Sequence, residues 1–246
     1  MDLSADDRET YAWQLDVPGF GDAGQAKLRG ATALVSRVGG LGGPLAQSLA
    51  SAGVGKIILA HGGSLREDDL NRQILMSRDW LGRSRVHCAQ ETLQRFNPRI
   101  EVEAVEENVN ESNARELVAK ADIVFGCAPL FEERLLMNRE CVRQGIPLID
   151  AAMFSMEGQV TTVVPGETAC MACLYPSNPP HWKRRFPVIG AVSALVANMA
   201  ALEGIKLLVG MPGVHSGQLV HVNASNLQTR LIRIKRLPEC TVCGSL

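Results

Sequence analysis

Two cysteine pairs of identical spacing set the strongest limit on how this chain can fold. Cys170-Met171-Ala172-Cys173 and Cys240-Thr241-Val242-Cys243 each put two thiols on one tight turn. Two such turns complete a four-thiolate site for a tetrahedral metal. The fold must then carry the far end of the chain back to its middle. Sulfur fills all four positions of Cys170, Cys173, Cys240 and Cys243, so the expected metal, zinc, is structural and has no open position for substrate. Cys88, Cys127 and Cys141 stand alone. An odd total, with no basic segment and apolar run opening the sequence, argues against a disulfide framework and for a cytoplasmic setting. Cys127 and Cys141 fall on a strand end and a helix and read as buried structural thiols.

The second constraint lies near the front. Ala31 to Val35 is a short apolar run of strand type. It is followed by Gly39-Gly40-Leu41-Gly42-Gly43, a helical pattern through Ala52, stop signals at Gly53 and Gly55, and a second strand from Lys56 to Ala60. Strand, glycine turn, helix, strand is one βαβ unit. A glycine turn that opens a helix can hold phosphate on backbone N–H groups, but it also serves close helix–strand packing, and the turn alone leaves both readings open.

The alternation continues. Helical periodicity over 81–96 ends at Asn97-Pro98, and 100–105 alternates as a strand. Helices over 111–120 and 131–144 enclose a strand at 122–126, and another strand covers 146–151. Later strands are expected at 159–164, 216–223 and 227–235, flanking a helix within 188–209. The predicted fold is α/β: a Rossmann-like doubly wound sheet, parallel in the N-terminal half and mixed or antiparallel in the C-terminal part. A polar helical arm capped by Ser4 with Asp7 three residues on occupies residues 1–27, and residues 28–246 form a single domain.

With 246 residues and a net charge of −1, nothing in the bulk charge points to nucleic acid or an anionic membrane. The longest apolar stretch, Val188 to Val209, is interrupted by Asn198, Glu203 and Lys206 too closely for a spanning helix. It is apolar on more than one face, which predicts burial against a second subunit and hence a homodimer.

In order along the chain come VGGLGG (38–43), SAGVGKI (51–57), DLNRQIL (69–75), RFNPRIEV (95–102), MEGQVT (156–161), the CMAC pair, ALEGIKLLVG (201–210) and CTVCG (240–244). This series, from Tyr11 to Gly244, resembles the MoeB/ThiF/HesA family, bacterial relatives of ubiquitin-activating enzymes. The resemblance implies ATP and magnesium binding, adenylation of the C-terminal glycine of a ubiquitin-like sulfur carrier protein, a homodimer, and a structural zinc on four cysteines. It places the nucleotide pocket at Arg37, Gly39, Gly40, Gly42, His61, Gly63, Asp69, Arg72, Gln73 and Arg85.

The departures from the family pattern cluster in that pocket. Arg37 stands where the first glycine of the family turn belongs. His61-Gly62-Gly63 replaces the acidic segment whose first carboxylate holds the ribose, and this loss also disfavours an NAD-binding dehydrogenase. Pro129 replaces the aspartate that serves magnesium, and proline has no side-chain oxygen for a hard cation. Trp13 replaces the arm arginine that reaches the neighbouring subunit's phosphates, Asp69 replaces an asparagine, and Arg85 replaces a lysine. Arg72 and Gln73 match. The loop from Tyr175 to Pro187 carries no reactive cysteine, and its Lys183-Arg184-Arg185 run reads as a solvated crossover, with His181-Trp182 beside it able to cap a pocket.

These losses predict a degenerate, non-catalytic binding or scaffold homologue with no confident catalytic residue and doubtful ATP–magnesium binding. Its remnant pocket, holding Arg37, Arg72 and Arg85, is expected to be cationic and to take a small anion or a carrier tail. Alternatively, Arg37 fills the cleft and pairs with Asp68 or Asp69. The runner-up is an active ATP-dependent adenylyltransferase in which Glu67, Asp68 or Asp69 supplies the metal site. The inactive half of a heterodimer is weaker, because Trp13 cannot donate the arm arginine.

Overall fold

The computed structural model describes residues 3–179 and 185–245. Two short helices, α1 (Ala5–Thr10) and α2 (Ala12–Leu15), open it. Ser4 and Asp7 satisfy each other's backbone N–H groups as a capping box, as the spacing predicts. A third helix, α3 (Gly21–Gly30), follows. Its three internal and terminal glycines hide it from sequence periodicity. Gly24 is needed there, because a Cβ would lie 2.9 Å from the Val209 side chain of a later helix.

The βαβ unit is β1 (Thr32–Ser36), α4 (Gly42–Ala52) and β2 (Lys56–Ala60). The strands are parallel and in register from Thr32 opposite Lys56 to Ser36 opposite Ala60. Gly53, at φ 81°, ends α4 in the left-handed region that glycine enters at no steric cost. Then come α5 (Arg85–Phe96), β3 (Glu101–Val105), α6 (Ala114–Ala119), β4 (Ile123–Gly126), α7 (Phe131–Gln144) and β5 (Leu148–Phe154). The remainder is β6 (Glu157–Val163), the single turn α8 (Met171–Leu174), α9 (Gly190–Val209), β7 (Gln218–Asn223) and β8 (Gln228–Arg233).

The eight strands among the described residues form one sheet in the order β3-β2-β1-β4-β5-β6-β7-β8. The pairs among β3, β2, β1, β4 and β5 are parallel, and those from β5 to β8 are antiparallel. The mixed sheet is therefore parallel first and antiparallel last, as expected. Side chains alternate faces along each strand. Ala33, Val35, Ile57, Leu59 and Phe125 bury one face against α4, α5 and α9, while Leu34, Ile58, Val124 and Leu148 bury the other against α6 and α7. Chain order reverses between β1 and β4, and the crevice beyond their carboxyl ends is where open α/β sheets bind ligands.

Helix α9 spans the sheet. Val192, Val196, Ala197, Ala200, Ala201 and Gly204 are buried in it, and a Cβ on Gly204 would lie 2.3 Å from the Phe125 ring. By length and composition it could cross a membrane, but half of it is buried within the domain. Its outer face still exposes Leu195 and Leu202 at 36% and 56%.

Candidate functional site

The glycine turn sits at the switch point. Gly42 has no alternative, because a Cβ there would meet the Arg37 carbonyl oxygen at 2.4 Å. Arg37 itself holds φ at 60°, a conformation that costs an L-residue roughly 1–2 kcal/mol. Its guanidinium runs across to α7, where Nε donates to Glu133 Oε2 at 2.7 Å and Nη2 lies 2.5 Å from the same oxygen. Both side chains are nearly buried, at 11% and 6% exposure.

Arg37 thus pairs with Glu133, not with Asp68 or Asp69, the pairing that the sequence offered as the alternative to an open cationic pocket. The acids of the turn Glu67–Asp69 are already engaged. Asp69 accepts from Gln73 Nε2 at 2.7 Å and lies 3.3 Å from Arg72 and 3.4 Å from Arg85. Glu67 pairs with Arg78, and the Asp68 carboxylate lies 3.4 Å from Arg66 Nε. Arg85 also donates to the carbonyls of Gly63 and Ser64. Of the three arginines expected to make the pocket cationic, Arg37 pairs with Glu133, while Arg72 and Arg85 share Asp69, so three guanidinium groups meet two carboxylates. A buried carboxylate such as Asp69 or Glu133 costs several kcal/mol unless a cation is drawn in beside it.

The structure brings Gly39, Gly40, Asp69, Arg72, Gln73, Arg85 and Gly63 into one neighbourhood. A Cβ on Gly40 would touch Arg72 at 3.2 Å, and one on Gly39 would reach Gln73 at 3.8 Å. The buried Oε1 of Gln73 has no partner among the described residues. His61 is buried at the end of β2, where its N–H donates to the Val105 carbonyl, and Gly62 N–H donates to Asn108 Oδ1. Pro129 lies between β4 and α7, just past Cys127, whose N–H donates to Ser36 Oγ. His181, Trp182, Lys183 and Arg184 lie outside the described residues.

Sequence reasoning missed Glu133 and a second buried ion pair beside it. Arg134 bonds to Asp150 through both carboxylate oxygens, at 2.9 and 2.5 Å, with side chains 2% and 0% exposed. Its guanidinium stacks over Phe131 and Tyr175, with centroids 4.5 and 5.7 Å away. Burial opposes the charge on Arg134, but Asp150 outweighs it and the pKa is raised. The signal available was the lone charge Asp150 in the otherwise apolar strand β5. Cys127 and Cys141 are buried, and desolvation pushes both thiols up, as suits inert core cysteines.

On the far side of α7 the four paired cysteines meet. All four Sγ atoms lie within 4.8 Å of one another, with Cys170–Cys240 at 3.7 Å and Cys173–Cys243 at 3.5 Å. Zinc–thiolate bonds of about 2.3 Å in a tetrahedron put sulfurs about 3.8 Å apart, so the donor set and spacing fit a zinc ion. Helix α8 supplies the turn between Cys170 and Cys173. Gly244 closes the other turn, where a Cβ would lie 2.4 Å from the Pro238 carbonyl. Arg236 donates to the Cys243 carbonyl, and the Leu237 N–H lies 3.5 Å from Cys173 Sγ. Burial raises the Cys240 thiol, but N–H groups of Cys243 and Val242 outweigh it and hold the pKa down at about 7.

A glycine turn at the switch point of a half-parallel sheet, with a four-cysteine clip on the antiparallel half, defines a nucleotide-binding-type α/β domain of the Rossmann-like class. The chain belongs to the ThiF family, whose profile matches residues 11–242. It is similar to Protein HesA of Leptolyngbya boryana, at 46% identity over 245 residues covering 100% of this chain and 88% of the relative. It is 34% identical over 248 residues to the adenylyltransferase and sulfurtransferase MOCS3 of Drosophila persimilis, of which it covers 55%. Among solved structures, E. coli MccB with MccA-N7isoAsn superposes with a TM-score of 0.86 at 24% identity, over 98% of this chain and 75% of that one. E. coli MccB with ATP superposes at 0.79 with 26% identity, over 90% and 69%. The family resemblance read from the motifs is borne out.

Proposed function

We propose that this chain is a ThiF-family binding or scaffold protein that does not carry out magnesium-dependent adenylation. The observation that carries this reading is the Arg37–Glu133 ion pair seated in the crevice where the family turn has a glycine. Pro129 offers no oxygen to a metal, and Asp69 is committed to Gln73, Arg72 and Arg85. Attack of a carboxylate on an α-phosphate needs cations fixed on the developing charge, and losing such a group commonly costs about 3–4 kcal/mol of transition-state stabilisation. The protein is cytoplasmic, holds zinc on its four cysteines, and takes a ubiquitin-like carrier tail or a small anion as its ligand.

Pyrophosphate exchange with ATP–magnesium and candidate ubiquitin-fold carriers tests this reading. No exchange above background is expected, and robust exchange would show that the site is active. Restoring the family residues should recover nucleotide binding. Arg37→Gly would take the Arg37 cation away from the buried Glu133, so the variant combines Arg37→Gly, Glu133→Gln, His61→Asp and Pro129→Asp. Calorimetry should show ATP–magnesium affinity rising at least tenfold, about 1.4 kcal/mol. Unchanged affinity would remove these residues from the pocket.

The exposed Leu195 and Leu202 on α9 support a homodimer built on that helix. Light scattering at micromolar concentration should give twice the 26.6 kDa chain mass. Leu195→Glu with Leu202→Glu should give the single mass.

An active adenylyltransferase is the second reading. It is favoured by the ordered placement of Arg72, Gln73 and Arg85 around Asp69 and by the likeness to relatives named for that activity. Glu67 or Asp68 would then supply oxygen to magnesium.

A further inference from the structure

Asn138 lies on α7, one helical turn beyond Arg134, and is wholly buried. A buried asparagine side chain has one acceptor and one donor group to satisfy. Its Oδ1 accepts the N–H of Met171, the first residue of α8, at 2.9 Å. Its Nδ2 is buried without a partner of ordinary hydrogen-bond geometry among the described residues. The group beside it is Cys170, with which the Asn138 side chain interacts. A neutral thiol is a weak acceptor, which leaves the amide poorly served. A metal-bound thiolate carries a formal negative charge and is a strong one.

We infer that Asn138 is the positioning residue of the four-cysteine clip: its Oδ1 fixes the first turn of α8, and its Nδ2 donates to the Cys170 thiolate when metal is bound. The inference rests on the proposed zinc reading and extends it beyond the four sulfurs. Helix α7 then touches both sites. Glu133 and Arg134 face the crevice and the core, and one turn later Asn138 holds a metal ligand. Tyr175, two residues past Cys173, closes the link by packing edge-on against Phe131 at 4.9 Å and under Arg134.

The substitution Asn138→Asp tests the donor separately from the acceptor. Aspartate still accepts from Met171 N–H, but it removes the donor and adds negative charge beside the thiolates. Zinc affinity of the full chain is read by competition with a chromophoric chelator, and cobalt substitution reports the thiolate-to-metal charge-transfer band. Asn138→Asp should weaken zinc about 10–100-fold, the usual effect of removing an outer-shell partner, and shift the cobalt band. Affinity within twofold of the native chain with an unchanged band would overturn the inference. A native chain that takes up no zinc would instead overturn the metal reading beneath it. Should Asn138→Asp not fold, cadmium-113 loading of the native chain decides the matter. A correlation between the metal and an Asn138 amide proton is expected, and its absence counts against the assignment.

Discussion

Stripping zinc from the purified chain with an excess of chelator is expected to lower its melting temperature by on the order of 10 °C. The four sulfurs come from two turns far apart in the chain, with Cys170 and Cys240 separated by 70 residues. A metal that binds the folded arrangement and not the unfolded one adds stability as RT ln(1 + [L]/Kd), about 4 kcal/mol at a thousandfold excess over Kd. In a chain of this length each kcal/mol moves the melting temperature by about 2–4 °C. The released metal should amount to one zinc per chain by elemental analysis. Cys243→Ser should reproduce the loss, because three thiolates and a hydroxyl no longer close the tetrahedron. A protein that melts at the same temperature with and without chelator would rule out a structural metal.

Asp150→Ala should be comparably damaging by a different route. Arg134 is 2% exposed and meets Asp150 with both ends of its guanidinium. Removing the carboxylate leaves a buried cation beside Phe131 and Tyr175, with no carboxylate to balance it. Breaking one side of such a pair costs about 3–5 kcal/mol, whereas replacing both partners with apolar groups is often neutral. The urea midpoint should therefore fall sharply in Asp150→Ala and recover in the double variant Asp150→Ala with Arg134→Met. A double variant no better than the single one would mean that Asp150 acts through the β5–β6 hairpin and not through Arg134. Glu133 precedes Arg134 directly, so the same substitution should loosen the Arg37 contact, and chemical-shift changes at Arg37 would report it.

How far the sequence carried depended on whether the deciding interactions are local. The bounds of β2 (Lys56–Ala60) and α7 (Phe131–Gln144) match their expectation residue for residue, because apolar runs and terminal glycines mark them. Helix α5 begins at Arg85 and not at residue 81, because Gly82 at φ 77° and a bridge between Leu65 and Leu81 hold the preceding segment as a turn. Strand β5 runs on to Phe154, because the turn at Ser155 lets it pair with β6 along its whole length. The paired cysteines were legible since each pair lies within four residues. The Arg37–Glu133 contact was not, since its partners are 96 positions apart. The run Glu132-Glu133-Arg134 has the composition of a solvated helix face, and nothing in the local pattern says that two of its three charges turn inward.

The spacing of the clip also bears on how the protein is made. Synthesis proceeds at about 5–20 residues per second, so a separation of 70 residues corresponds to roughly 4–14 s between the two pairs. Throughout that interval Cys170 and Cys173 form an incomplete ligand set on a growing chain, with two thiols that can be oxidised or captured by the wrong ion. The antiparallel strands β7 and β8 must be made and docked on β6 before the second pair can reach the first. With zinc on the four cysteines, as proposed, metallation would be a late event on the ribosome's timescale, and shortage of zinc or oxidative stress during translation would strike newly made chains before it touched the finished protein.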